Sequence, residues 1–187
     1  MEGREDTEER RREAAATEGN RHWLPPSIAQ LGNLEILDLK ACHNLEALPS
    51  DIASMRSLTH LDVSECYLLD SMPKGIEKLT QLQVLKGFVI GNSSKTPCRI
   101  TDLANLKKLK RLSIHIGSEA VIFPSSLEKL ELEGFPGFTI PEWLKPSRLP
   151  QKLKKLYIKG GKLKSLDHGE ICHKWHVEIL RLQYLNQ

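Results

Sequence analysis

The chain has 187 residues, of which 40% are hydrophobic and 27% are charged, and its formal net charge is +3. This composition excludes a collagen-like, coiled-coil or wholly disordered chain, and the length allows one domain with a sizeable core. No apolar run approaches the ~20 residues of a membrane span, and the first residues lack the apolar stretch of a secretory signal. The four cysteines are too scattered for a disulfide framework, so we expect a cytoplasmic protein.

The first 22 residues differ from the rest of the chain. They carry seven acidic residues and five arginines but no leucine, although the whole chain contains 30 leucines. Such a segment buries too little apolar surface to offset the entropy lost on ordering. We therefore predict a disordered charged tail over residues 1–22 and a folded domain over residues 23–187.

From residue 23 onward the motif Leu-x-x-Leu-x-Leu recurs about seven times. Its copies begin at Leu34, Leu58, Leu82, Leu109, Leu127, Leu153 and Val177. Successive starts are 24, 24, 27, 18, 26 and 24 residues apart, mostly within the roughly 20 to 29 residues of leucine-rich repeats. In the third copy either Gly87 or Phe88 fills the last position. Each copy alternates apolar and polar residues, as a half-buried strand does. We predict an α/β repeat fold: a right-handed leucine-rich-repeat solenoid of about seven repeats, an arc with a parallel sheet on its concave side.

The segments that return from one strand to the next are also periodic. Two successive return segments have the same spacing of proline and apolar residues. The first contains Leu48-Pro49, Ile52 and Met55, and the second contains Met72-Pro73, Ile76 and Leu79. Cys42 and Cys66 occupy the same position in neighbouring repeats, where we expect small buried thiols. Residues 133–150 are rich in proline and aromatic side chains, and we expect them to pack as an ordered lid on the convex side.

The unit from Leu34 to Met55, with Cys42 and Leu48-Pro49 at fixed positions, resembles the leucine-rich repeats of plant intracellular disease-resistance receptors. These receptors combine a coiled coil, a nucleotide-binding domain and leucine-rich repeats. The stretch Pro141-Glu142-Trp143-Leu144 is similar to the C-terminal region of that family. The resemblance covers residues 23–187. It implies a protein-protein recognition module of the plant defence response.

The sequence also departs from a complete receptor of that family. It has no Gly-x-x-x-x-Gly-Lys-[Ser/Thr] loop to hold phosphates, so we expect no nucleotide binding. Residues 23–31 match only the second half of a repeat, and the seventh motif is followed by few residues. We expect a partial receptor whose solenoid is open at both ends.

The outward strand positions predict a partner-binding surface. In a solenoid of this kind these positions line the concave face, which is the usual site for a protein partner. Charged and aromatic side chains hold most of them: Asp38, His60, Asp62, Lys86, Arg111, Lys129, Glu131, Lys155, Tyr157 and Arg181. The remaining ones are Ile36, Val84, Ser113 and Ile179. The face is predicted to run from acidic to basic, with Tyr157 as an aromatic anchor. The expected partner is a protein: a pathogen effector, a guarded host protein or a nucleotide-binding domain.

Other functions find less support in the residues. The lysine clusters are interleaved with core leucines, which favours a solvated face over nucleic-acid binding. One ligand-like cluster, His168, Cys172, His173 and His176, matches no standard zinc spacing, so we predict a loop and no metal. No catalytic motif is present, and we predict neither enzyme activity nor a cofactor. Two alternatives stay open: a general intracellular leucine-rich-repeat scaffold or adaptor, and a non-functional receptor fragment.

Overall fold

The computed structural model describes residues 22–89, 98–115, 123–135, 137–169 and 174–185. The predicted tail therefore lies outside the described residues, except for His22. The strands in these ranges are His22–Trp23 (β1), Ile36–Asp38 (β2), Leu45–Ala47 (β3), His60–Asp62 (β4), Val84–Val89 (β5), Arg111–His115 (β6), Lys129–Phe135 (β7), Lys155–Gly161 (β8) and Ile179–Gln183 (β9). None of the helices in the same ranges has the length and apolar content that crossing a bilayer requires.

Seven of the strands form one sheet in the order β2-β4-β5-β6-β7-β8-β9, and every neighbouring pair is parallel. Equivalent motif positions lie side by side, as in the row Leu112, Leu130, Leu156 and Leu180. Strands β1 and β3 form a separate parallel pair. The predicted leucine-rich-repeat solenoid with its parallel sheet is confirmed.

The motif leucines form the core. Leu61, Leu85, Leu130 and Leu156 are fully buried, and they belong to one apolar cluster that runs from Leu37 to Leu163. Burying a leucine side chain contributes roughly 1.5–3 kcal/mol. Because each strand supplies leucines to the layer between itself and its neighbours, the stacked repeats stabilise one another.

The return segments on the other side of the core are short 3-10 helices, at Pro26–Gln30, Ser50–Ser54, Ile76–Lys78, Ile100–Asn105, Glu142–Leu144 and Pro146–Arg148. The described ranges contain no α-helix. Ile52 lies in the second of these helices and Met55 is the residue that caps its C-terminal end, three positions later; both are fully buried. A 3-10 helix has three residues per turn, so this spacing places both side chains on its core face.

A bulge in β5 decides which residue completes the third motif. The pairs Leu85–Leu112 and Phe88–Ile114 show that β5 has one residue more than β6 between them. The extra residue lies at Gly87, whose φ is +75° and whose missing Cβ would lie 2.6 Å from the backbone of Val63. Only glycine fits this position without strain. The bulge turns Phe88 into the core, so Phe88 and not Gly87 fills the last motif position.

The segment predicted to form a convex lid, of which residue 136 lies outside the described residues, contributes to the core. Its first residues complete β7, while Ile140 and Leu144 are buried in the apolar cluster. The Trp143 ring packs edge-on against Phe123, with 6.0 Å between the ring centroids. The lid prediction was wrong because these apolar side chains fill the return half of their own repeat instead of covering a finished one.

Three described cysteines are free thiols in different environments. The Cys66 thiol is buried and donates a hydrogen bond to the Leu39 carbonyl at 3.1 Å, and burial raises its pKa. Cys42 is exposed, so its predicted burial was wrong. The carbonyl that accepts the Cys66 hydrogen bond lies 27 residues earlier in the chain. The equivalent position for Cys42 is Ala15, which lies outside the described residues. Cys98 is buried, and burial together with the charge of Glu77 raises its pKa to about 12.

Alkylation of the native protein should therefore discriminate between these thiols. At about pH 8 a thiol with a pKa near 12 is ionised in only about one molecule in ten thousand, and the thiolate is the reactive form. We expect iodoacetamide to modify Cys42 rapidly and to spare Cys98, as measured by mass spectrometry of the peptides. In concentrated urea both should react. Equal modification of Cys42 and Cys98 in the native protein would contradict the structure.

Candidate protein-binding face

All ten residues predicted for partner binding lie on one side of the seven-stranded sheet. Alternation along each strand directs the motif leucines into the core and the intervening side chains to the opposite face. Two rows illustrate this in β6 to β9: Arg111, Lys129 and Lys155 at one motif position, and Glu131, Tyr157 and Arg181 at another. Neighbouring strands are about 4.8 Å apart, so the rows form a continuous surface. We call this surface the concave face.

The middle of the concave face is recessed. Val84 and Ser113 occupy outward positions as predicted, yet both are buried, with exposed fractions of 8% and 3%. A depression of about 350 Å³ lies here, lined by Lys40, Asp62, Ser64, Glu65, Lys86, Arg111, Leu112, Ser113, Lys129, Glu131, Glu133 and Lys159. Charged side chains dominate this lining, which is unlike the apolar lining of small-molecule sites.

Several charges of the face are compensated by neighbours. The Lys86 ammonium donates a hydrogen bond to Asp62 Oδ2 at 2.8 Å, and the backbone N–H of Ser64 donates to Asp62 Oδ1 at 3.0 Å. Lys129 forms an ion pair with Glu131 on the same strand. The charge that Asp62, Lys86, Lys129 and Glu131 offer to a partner is correspondingly reduced.

The environment of Asp62 makes its ion pair dependent on pH. Burial raises the pKa of Asp62, but the hydrogen bonds from Lys86 and Ser64 outweigh burial and hold the pKa below its ordinary value. A carboxyl group whose pKa is lowered by folding adds stability above its unfolded pKa. That stability is lost as the pH falls through the lowered native pKa. The pair therefore supports the sheet at neutral pH and ceases to do so in acid.

Tyr157 lies between two cations. The Lys129 Nζ is 4.4 Å from the centroid of the tyrosine ring, and the Arg181 Cζ is 4.7 Å from it. Each such contact at a partly exposed site contributes about 0.5–1 kcal/mol. The ring is thereby held in place as a rigid aromatic surface near the basic end of the face.

The other charged residues of the face lack an ion-pair partner in the part of the chain that the structure describes. Arg111 and Lys155 are exposed, and neither has an ion-pair partner among the residues that the structure describes. At the other end Asp38 is exposed and accepts the backbone N–H of Lys40 at 3.0 Å. Its carboxylate also attracts the Lys40 ammonium electrostatically, but no cation lies within ion-pair distance of it in the same ranges. The net charge available to a partner is therefore negative at Asp38 and positive around Arg111, Lys155 and Arg181.

The orientation of His60 is set by its neighbour Thr59. The Thr59 hydroxyl donates to the Glu35 carbonyl at 2.9 Å, and the same oxygen lies 2.8 Å from His60 Nδ1. A hydroxyl has one proton to give, so Nδ1 of the neutral ring must be the donor. The Nε2 atom is then left as an acceptor.

A third row of outward side chains was not predicted. His115, Glu133 and Lys159 lie side by side in β6, β7 and β8, and Lys159 Nζ is 4.0 Å from Glu133. At the other end of the sheet, after β2 and β4, Lys40 forms an ion pair with Glu65 at 3.3 Å. The sequence already indicated this third row, because the alternation of apolar and polar residues in β6, β7 and β8 continues one residue beyond the last motif leucine or isoleucine.

The histidine and cysteine cluster that was considered as a possible metal site lies partly outside the described residues, which omit Cys172 and His173. His176 Nε2 is 3.0 Å from the Pro150 carbonyl, and the His168 ring packs edge-on against Trp175. In the part of the chain that the structure describes, no three His, Cys, Asp or Glu side chains are arranged to hold a metal ion.

Comparison with known sequences identifies the family. A profile of the leucine-rich repeat region matches residues 16–131, which is more than half of the chain. The chain belongs to the leucine-rich-repeat proteins. The chain is also 28% identical over 203 aligned positions to the disease resistance RPP13-like protein 4 of Arabidopsis thaliana, which confirms the resemblance to plant disease-resistance receptors. The match covers 87% of this chain but only 24% of that relative.

A solved structure supports the fold independently. Internalin C2 of Listeria monocytogenes matches with a TM-score of 0.51 and 20% sequence identity, over 83% of this chain and 74% of that chain. At this identity the likeness concerns the leucine-rich-repeat architecture alone.

Proposed function

We propose that the chain is a protein-protein recognition module of the plant defence response, acting in the cytoplasm through its concave face. The partner is a pathogen effector, a guarded host protein or the nucleotide-binding domain of a receptor. The similarity to a disease-resistance protein supports the biological role. The observation that carries the binding face is the pair of exposed, unpaired cations Arg111 and Lys155, placed beside the held ring of Tyr157.

The chemistry of this end of the face suits a protein surface that carries carboxylates. Arg111 and Lys155 lie two strands apart, about 10 Å by the strand spacing. A partner that places acidic groups there gains two ion pairs without breaking an existing one. The Tyr157 ring adds apolar contact area at little cost in side-chain entropy, because its flanking cations already hold it.

Charge reversal at these two positions tests the proposal. We expect the double variant Arg111→Glu, Lys155→Glu to weaken partner binding by about tenfold or more, because like charges would face the partner. The matched control is Lys107→Glu, Lys152→Glu, which makes the same charge change at exposed residues in the turns before β6 and β8. Proximity labelling in plant cells, followed by affinity measurement on the partners found, gives the readout.

The expected pattern is loss of the same partners from the first double variant and their retention by the control. Both proteins should keep the far-ultraviolet circular dichroism of the unaltered chain, since all four residues are exposed. If the two double variants bound the partners equally, the concave face would not be the binding surface.

A further inference from the structure

One short side chain on the concave face lies among longer ones. At the motif position of Ser113 the other strands of the sheet carry aspartate, lysine, glutamate, tyrosine or arginine. A short side chain in such a row leaves a depression, and Ser113 lines the depression of about 350 Å³ in the middle of the face. Its longer neighbours leave it only 3% exposed, and it is the one buried polar residue within the described ranges.

The Ser113 hydroxyl is available to a ligand. Among the residues that the structure describes, it has no hydrogen-bond partner. In the same part of the chain, every side-chain nitrogen or oxygen that is sealed from solvent does have a partner. The Ser113 oxygen must therefore still open onto the depression. A hydroxyl that is buried and unpaired costs free energy, which a ligand with a matching group can restore.

The depression carries one uncompensated positive charge. Each of the four lysines in its lining forms an ion pair with one of the four carboxylates in the same lining. Arg111 is the remaining cation, and no ion-pair partner is described for it. A ligand with a single negative charge therefore neutralises the depression without separating an existing pair. A phosphate ester, with a charge of about −1.5 to −2, would leave negative charge in excess.

Arg111 and Ser113 are placed to hold the same anion. They lie two residues apart in β6, so their side chains point to the same side of the sheet, about 6.6 Å apart along the strand. A carboxylate can accept two parallel N–H hydrogen bonds from a guanidinium and still accept a third from a hydroxyl. Arg111 has the guanidinium and Ser113 has the hydroxyl, so the pair suits a carboxylate.

We propose that this depression is a socket for one carboxylate side chain, an aspartate or a glutamate of the protein partner. The socket rests on the proposed function, because the partner supplies the carboxylate, and it adds the position at which the partner must be acidic. Arg111 binds the carboxylate, and the Ser113 hydroxyl donates a hydrogen bond to it. Lys155 is not part of the lining, so it contacts a different group of the partner.

Nuclear magnetic resonance titration of the full chain with two capped pentapeptides tests the socket without a partner. One peptide is Gly-Gly-Glu-Gly-Gly, and the other is Gly-Gly-Gln-Gly-Gly, which has nearly the same shape and no charge. We expect the glutamate peptide to shift the amide resonances of Arg111 and Ser113 in a saturable way. The glutamine peptide should bind at least about tenfold more weakly, because it leaves the guanidinium without a carboxylate.

Ser113→Ala removes the hydroxyl from the socket without removing a described hydrogen bond of its side chain, so it should keep the fold by circular dichroism. It should weaken binding of the glutamate peptide by about tenfold, because a hydrogen bond to a charged group is lost. Partners found by proximity labelling should be weakened in the same way. The matched control is Ser125→Ala, which removes a hydroxyl from an exposed turn outside the depression and should bind normally.

Three results would overturn the socket: equal binding of the two peptides, resonance shifts confined to residues away from β6, or binding by Ser113→Ala as tight as that by Ser125→Ala. The peptide results are separate from the charge-reversal test of the concave face. Loss of partners from Arg111→Glu, Lys155→Glu with no effect of Ser113→Ala would overturn the socket alone. Retention of partners by that double variant, with the peptide results as expected, would overturn the proposed function and leave the carboxylate site standing.

Discussion

Replacing Gly161 with alanine is expected to lower the free energy of unfolding by about 3 kcal/mol or more. Gly161 has a φ of +101°, and a Cβ atom there would overlap the Phe135 carbonyl oxygen and lie 2.5 Å from the Phe135 nitrogen. The left-handed conformation alone costs an alanine about 1–2 kcal/mol. The overlap adds to this cost, because the obstructing atoms are backbone atoms of β7 and cannot move without separating β7 from β8.

The neighbouring Gly160 provides a matched control. Its φ is also positive, at +67°, but the nearest atom to a Cβ there is the Gly134 nitrogen at 3.9 Å. Gly160→Ala should therefore show only the conformational cost, about 1 kcal/mol. Urea denaturation followed by circular dichroism measures both variants. Equal stabilities of the two variants would show that β8 does not approach Phe135 as closely as described.

Much of the fold could be predicted because the repeat period and the alternation within each strand are local properties of the sequence. They place Leu61 and Leu85 in the core and make their strands neighbours, as observed. The bulge at Gly87 could not be assigned in the same way. Either Gly87 or Phe88 satisfied the pattern, and the choice depends on the close approach of the backbone at Val63, a contact between repeats.

The membership of the concave face was also predictable, but its electrostatics was not. Alternation places Asp62, Lys86 and Arg111 on one surface whatever their partners are. Which charges remain available to a binding partner depends on distances between side chains of different strands, such as the 2.8 Å between Lys86 Nζ and Asp62 Oδ2. The sequence suggests a row of equivalent cations, whereas Lys129 is compensated by Glu131 and Arg111 has no ion-pair partner among the described residues.

The second large effect is expected for Leu130→Ala. Leu130 is fully buried in β7, and its neighbours in the row are Leu112 and Leu156. Truncating a buried leucine to alanine costs about 2–5 kcal/mol, from lost apolar burial and from the cavity left behind. The cavity would lie between three repeats, so it should weaken the contacts on both sides of β7.

Leu180→Ala is the control, because Leu180 occupies the same motif position in β9 but is 43% exposed. Its truncation removes less burial and leaves no enclosed cavity, so we expect a loss below about 1 kcal/mol. Urea denaturation gives both values. A loss at Leu180 as large as that at Leu130 would contradict the described exposure of β9.

Hydrogen exchange would show how the loss at Leu130 spreads through the solenoid. Each repeat contacts only its neighbours, so stability is approximately a sum of terms for single repeats and for adjacent pairs. Amide protection in Leu130→Ala should therefore fall most at Leu112, Leu130 and Leu156. It should fall least at Leu37 and Leu61, which are coupled to the cavity only through the intervening repeats. A uniform loss along the chain would instead mean that the repeats unfold as one cooperative unit.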